Sequence, residues 1–236
     1  MDTYLTLLSF GPTGWADEIC LGILVTASLA LATLPLGLAG GFLLALAKQS
    51  QDKALNLAAQ IFTTVFRGLP ELLTLFLVYF GLNNALRTLT SATGLPEIAL
   101  SSFVSGMLAL GLVFAAFASE VLLSAFRAIP VGQTEGARAL GLRPSRIMLL
   151  VVLPQLVRIA LPGLGNLWMN LLKDTALVSA IGLADTLRQA GIAARVSREP
   201  FLFFGVAIVA YLALTMLSSL VIDRIDRRVN RGELAR

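Results

Sequence analysis

Residues 19–47 read ICLGILVTASLALATLPLGLAGGFLLALA, a run of 29 residues without a charge. A helix needs about 20 apolar residues to cross about 30 Å of hydrocarbon, so this run is long enough to span a membrane. Working outward, residues 200–222 form a second clean stretch. Residues 98–126 form a third, broken only by Glu120. Residues 54–86 are apolar except for Arg67 and Glu71, with Pro70 between them. Residues 147–172 are interrupted by Arg158 and carry Pro154 and Pro162. The pattern predicts an all-α membrane protein of about five transmembrane helices, with the second and fourth broken or kinked at their prolines.

Composition agrees. Of 236 residues, 57% are hydrophobic and 14% charged, and the mean hydropathy is +0.84. A soluble domain carries about 25% charged residues, so this chain must bury apolar surface in lipid. The expected organisation is an external N-terminal segment (1–18), a membrane domain (19–222) with a loop at 127–146, and a tail (223–236). Met1 to Glu18 contains no Lys or Arg, and the first apolar run is longer than a signal-peptide core, so that span is expected to stay in the membrane. Eleven lysines and arginines fall on the side holding the 127–146 loop and the tail, against five on the other. The positive-inside rule therefore places the N-terminus outside and the C-terminus in the cytoplasm.

Other chemistry is excluded. There is no histidine, so no Ser-His-Asp triad or HExxH metal site can form. Cys20 is the only cysteine, which rules out an intrachain disulfide and a thiolate cluster. No G-x4-GK[ST] loop is present to cradle phosphates.

The most informative loop is IPVGQTEGARALGLRP, residues 129–144. Pro130 and Gly132 stop what precedes it, Gln133 or Thr134 can cap a short helix, and Glu135 suits its positive end. Gly141 can end that helix and Pro144 can start the next. Gly136, Ala137, Ala139 and Leu140 give it a small apolar face. Such a helix can dock against a protein surface, or it can lie on lipid headgroups.

The spacing Glu135-x-Ala137-x3-Gly141-x9-Val151-x-Leu153-Pro154 resembles the EAA loop of binding-protein-dependent ABC import permeases. Gly136 stands where that family usually has Ala, and Val151 where it has Ile. Three further segments are similar to polar amino-acid permeases: Thr64-Val-Phe-Arg67-Gly68-Leu-Pro70, Phe117-Ala-Ser-Glu120 with Phe126 to Gln133, and Lys173-Asp174-Thr175 onward to Gly182. The resemblance covers about residues 19–228. It is nearest to the Q-type subunits for histidine, arginine, lysine and ornithine, and for octopine and nopaline.

The resemblance implies the ABC type I importer permease fold, in the bacterial inner membrane, with a periplasmic N-terminus. It implies a transport subunit rather than an enzyme, with no cofactor or metal of its own. ATP and Mg would be bound by a partner ATPase dimer. A second homologous permease subunit, giving a heterodimer, and a periplasmic substrate-binding protein complete the assembly. Glu135, Gly136, Ala137, Leu140 and Gly141 would couple to the ATPase, whose closure rocks the two permease halves.

Candidates for the substrate path are the intramembrane polar groups, because an ionisable side chain in hydrocarbon usually faces a bundle interior or a wet cavity. These are Arg67, Glu71, Glu120, Asn166 and Asp174. Glu120 can attract a basic side chain or pair with Arg67 or Arg158. Arg67 and Glu71 can line a broken helix or pair with each other. Asp174, beside Lys173, can hold an outer gate or anchor at the headgroups. Asn170 and Trp168 share the outer half of the fourth span with Asn166, Trp168 reading as an interfacial anchor. Gly37-x3-Gly41 permits close helix contact. The competing function is an ATP-independent secondary transporter or channel, which a five-span chain without inverted repeats fits poorly.

Overall fold

The computed structural model describes residues 2–94, 96 and 99–230. Helices α1 (Asp2–Leu7), α2 (Ala16–Lys48), α3 (Lys53–Gly68) and α4 (Glu71–Thr93) form the first half. The second half holds α5 (Ser102–Ala128), α6 (Val131–Ala139), α7 (Pro144–Ile147), α8 (Leu153–Asp174), α9 (Thr186–Ser197) and α10 (Pro200–Asn230). A π-helical turn at Met148–Val152 joins α7 to α8, and a 3-10 segment at Thr175–Ile181 continues α8. Among the described residues there is no strand. Five segments are long and apolar enough to cross a membrane: α2, α4, α5, Pro144–Ile181 and α10.

The second apolar stretch is not one kinked span. Pro70 has no N–H and its ring disfavours helical backbone at the residue before it. Leu69 accordingly takes φ −87°, ψ 142°, and the chain splits into α3 and α4. At 16 residues, α3 is about 24 Å long, short of the hydrocarbon thickness. Only α4 spans. It runs on to Thr93, so Arg87 sits within a helix rather than in the loop beyond residue 86.

The fourth stretch also runs further than its charges suggest. The π-turn absorbs the approach to Pro154, which stands in the first turn of α8, while Pro162 is accommodated inside that helix. Thr175–Ile181 then prolongs the apolar segment until Gly182 turns the chain at φ 93°. Lys173 and Asp174 thus lie inside a continuous helical segment rather than at its end.

The core centres on α5, whose small residues Ala109, Ala115, Ala116, Ala118 and Ser119 are buried. Opposite them α2 presents glycines. A Cβ on Gly37 would sit 2.5 Å from Phe114 Cδ1, and one on Gly41 would sit 2.7 Å from Ala118 Cβ. In lipid, helices associate through such close backbone packing rather than through hydrophobic transfer, so Gly37 and Gly41 set the α2–α5 spacing.

At the end of the bundle away from α6, a polar knot ties α2, α9 and α10. Thr26 Oγ1 and Thr186 Oγ1 lie 2.9 Å apart, and Thr186 N–H donates to Thr26 Oγ1 at 3.2 Å. Asp185 caps α9, accepting the Arg188 N–H at 3.0 Å. Its other carboxylate oxygen is buried without a hydrogen-bond partner, next to the Tyr211 hydroxyl.

Candidate functional site: an acidic pocket, an ion-pair knot and an exposed helix

The break at Pro70 places Glu71 in the first turn of α4, where the positive helix end favours its carboxylate. Asp174, in the last turn of α8, lines the same cavity as Glu71. They share an open cavity of about 430 Å³ with Asn170. The remaining walls are apolar, among them Phe114, Phe117 and Leu167. Two carboxylates sharing one largely apolar cavity repel unless a proton or cation lies between them. The cavity can therefore receive a cationic group while the apolar walls hold its stem.

Of the other path candidates, Glu120 and Arg67 are brought together elsewhere. Glu120 Oε1 pairs with Lys48 Nζ at 2.6 Å and with Arg67 Nη1 at 2.9 Å. The Arg67 guanidinium also lies 5.6 Å from the Phe117 ring centroid. This knot ties the ends of α2 and α3 to α5, near α6. Arg67 pairs with Glu120 rather than with Glu71, because the bend at Leu69–Pro70 separates the two helices. Glu120 binds Lys48 and Arg67 rather than Arg158. Phe117 connects the two features: one side of its ring lines the acidic pocket and Arg67 stacks on it.

Asn166 is exposed and absent from the pocket wall; Asn170, one turn on, occupies it. Trp168 points to an apolar groove on the other side of α8. Lys48 was not legible as a partner of Glu120, since it reads as the first loop charge after a span. The one signal that could have revealed it is an uninterrupted α2 that carries Lys48 to the depth of Glu120.

The loop helix also differs in detail from its sequence reading. Pro130 itself is the N-cap residue and α6 begins at Val131, so Gly132 lies inside the helix and Thr134 Oγ1 donates to Val131 O rather than capping. The C-terminus ends as expected. Gly141 takes φ 77°, its N–H donates to Arg138 O at 2.9 Å, and Leu142 N–H donates to Ala137 O at 3.2 Å, a Schellman arrangement. Ala137 is buried among Ala45, Ile129 and Leu156. It anchors the helix to the bundle and leaves Glu135, Gly136 and Leu140 outward, Leu140 with 83% of its surface exposed.

Residues 37–231 match the family described as the binding-protein-dependent transport system inner membrane component. The chain is 40% identical to the nopaline transport system permease protein NocQ of Agrobacterium fabrum, over 97% of this chain and 98% of that one. It is also 40% identical to the arginine ABC transporter permease protein ArtQ of Escherichia coli, over 89% and 93%. Among solved structures, an amino acid ABC transporter crystallised with histidines is similar at a TM-score of 0.76 and 30% identity, covering 91% of this chain and 95% of that one. A methionine transporter chain (MetNI) shares the fold at a TM-score of 0.70. With five membrane-spanning segments, an outward-facing loop helix and these relatives, the chain belongs to the inner-membrane components of binding-protein-dependent transport systems.

Proposed function

We propose that this chain is a permease subunit of an ATP-driven uptake system for a basic amino acid or a related opine. The carrying observation is the Glu71–Asp174 pair facing one pocket with Asn170. A guanidinium or ammonium placed there relieves the repulsion between the carboxylates, and no Lys or Arg is among the described residues that line it. The relatives' names, nopaline and arginine transport, support that class of substrate.

The partners follow from the same reading. A periplasmic binding protein delivers the substrate, a second homologous permease supplies the other wall of the path, and an ATPase pair binds ATP and Mg. The orientation is N-terminus periplasmic and C-terminus cytoplasmic, supported by the excess of Lys and Arg on the α6 side. Helix α6 then meets the ATPase, with Leu140 and Glu135 as its outward contacts. Force on α6 passes through Ala137 into the bundle near Leu156. The knot of Lys48, Arg67 and Glu120 holds the elbow between α3 and α4, and it keeps Glu71 aimed at Asp174.

The test is substrate affinity in the purified assembly. Glu71→Gln and Asp174→Asn should each weaken binding of arginine about tenfold or more, while glutamine binding changes little. A single buried charge-assisted contact is worth about 1.5–3 kcal/mol, and tenfold is 1.4 kcal/mol. Equal losses for arginine and glutamine would contradict a charge-reading pocket.

A further inference from the structure

Helix α8 has two working faces. Leu167, Asn170, Leu171 and Asp174 turn to the acidic pocket. Leu164, Trp168 and Leu172 turn away, into an open groove floored by α8 and flanked by α2 and α10. The groove runs from Ala27 to Phe42 on α2, about 22 Å at 1.5 Å per residue. That exceeds the thickness of one leaflet of a hydrocarbon core about 30 Å across. Apart from the Ser218 hydroxyl and the Trp168 indole, its lining side chains carry no polar atom. Leu156, on its floor, is fully buried.

One end of this apolar slot is charged. On α10 the groove stripe is Leu214, Leu217, Ser218, Val221, Ile222 and Ile225. At 3.6 residues per turn that stripe continues to Arg228 and Val229, with Arg224 beyond one edge and Asp226 beyond the other. Both arginines are exposed, and neither forms an ion pair among the described residues. Asp223 falls on the opposite side of the helix by the same periodicity. A hydrocarbon slot in the membrane that ends at two cationic side chains has the chemistry of an anionic phospholipid.

We propose that the groove between α2, α8 and α10 holds one anionic phospholipid of the cytoplasmic leaflet, its chain along α8 and its phosphate against Arg224 and Arg228. This rests on the orientation given under the proposed function. The bound lipid fills the wedge between α2 and α10 on the far side of α8 from the substrate. It thereby supports the helix that carries Asp174.

The experiment is native mass spectrometry of the intact chain with its co-purifying subunits, released from nanodiscs of equal phosphatidylglycerol and phosphatidylethanolamine. The expected result is one retained phosphatidylglycerol per copy. Its affinity, read from occupancy, falls roughly thirtyfold in Arg224→Gln/Arg228→Gln, as expected for removing about 1 kcal/mol of attraction from each of two cations. It also falls in Ser218→Phe, which fills the slot and leaves both arginines. Equal retention of the two lipids, unchanged in either variant, would overturn the proposal and leave ordinary annular lipid. So would a cross-link from Ser218→Cys, in a Cys20→Ser background, to a helix of a co-purifying permease. Lipid retention is read without transport, so failure here is separate from failure of the substrate-pocket variants.

Discussion

Asp185 is a buried acid outside the membrane-spanning segments, and replacing it by asparagine has a calculable consequence. Burial pushes its carboxyl up from 3.8 to about 6. Accepted backbone N–H groups and the nearby Arg188 lower it, but less. Arg188 directs its guanidinium to Ser179 O at 3.2 Å, and Tyr211 is the facing titratable group from α10. Between pH 4 and 6 the folded chain therefore holds a proton that the unfolded chain releases. Stability from this group is present at low pH and is lost as pH rises through about 6. A shift of about two units at 1.36 kcal/mol each amounts to about 3 kcal/mol lost by neutral pH. Asparagine keeps an oxygen for the α9 cap and removes the charge. Asp185→Asn should thus raise the apparent Tm at pH 7.5 by about 6 °C or more, given about 2–4 °C per kcal/mol at this size. The two proteins should converge at pH 4. Tryptophan fluorescence is a suitable readout, because Trp15 packs edge-on against Phe203 at 6.4 Å beside α9. An Asp185→Asn protein that melts no higher than wild type at pH 7.5 and keeps its pH slope would refute the argument.

Other perturbations test separate links. Gly41→Leu forces a side chain into Ala118 Cβ and the Ala115 carbonyl, so it should cost about 3 kcal/mol or more in overpacking and reduce membrane assembly, measured by protease resistance. Glu120→Gln leaves Lys48, 5% exposed, without its counter-charge; a loss of about 2 kcal/mol is expected, partly restored by adding Lys48→Met, and thermal melts of the single and double variants check it. Gly141→Ala places a side chain at φ 77° and should cost about 1 kcal/mol, with α6 fraying first in hydrogen exchange. Glu135→Lys should leave insertion and substrate binding intact while detaching the ATPase in pull-downs; retained ATPase would contradict the docking role.

Much of this architecture was legible because lipid imposes a severe rule: spans must be apolar for about 20 residues. The runs at 19–47 and 98–126 became α2 and α5 with shifts of a few residues, and the run at 200–222 became α10, which continues to Asn230. What escaped is where backbone geometry outweighs composition. Hydropathy alone does not distinguish a kinked span from two helices, and Leu69–Pro70 decides it through sterics. The helical segment also runs on past Lys173 and Asp174, because Thr175–Ile181 continues it. For the site, Glu71 and Asp174 stood out as costly charges, but nothing in their spacing of a hundred residues showed that they meet. Lys48 was missed, and Asn166 was chosen over Asn170, for the same reason. Partnership across helices depends on rotation and depth, which one-dimensional periodicity does not specify. In α6 the small face was visible, yet only packing shows Ala137 turned inward and Leu140 outward.

The central claim is that this chain forms an ATP-driven path for a basic amino acid. The most direct measurement is arginine uptake into proteoliposomes holding the purified assembly, with binding protein supplied on one side and ATP or an ion gradient on the other. Uptake should require ATP and the binding protein and be lost in Glu135→Lys, with an ion gradient alone giving none. Uptake driven by the gradient without ATP, unchanged by Glu135→Lys, would contradict it.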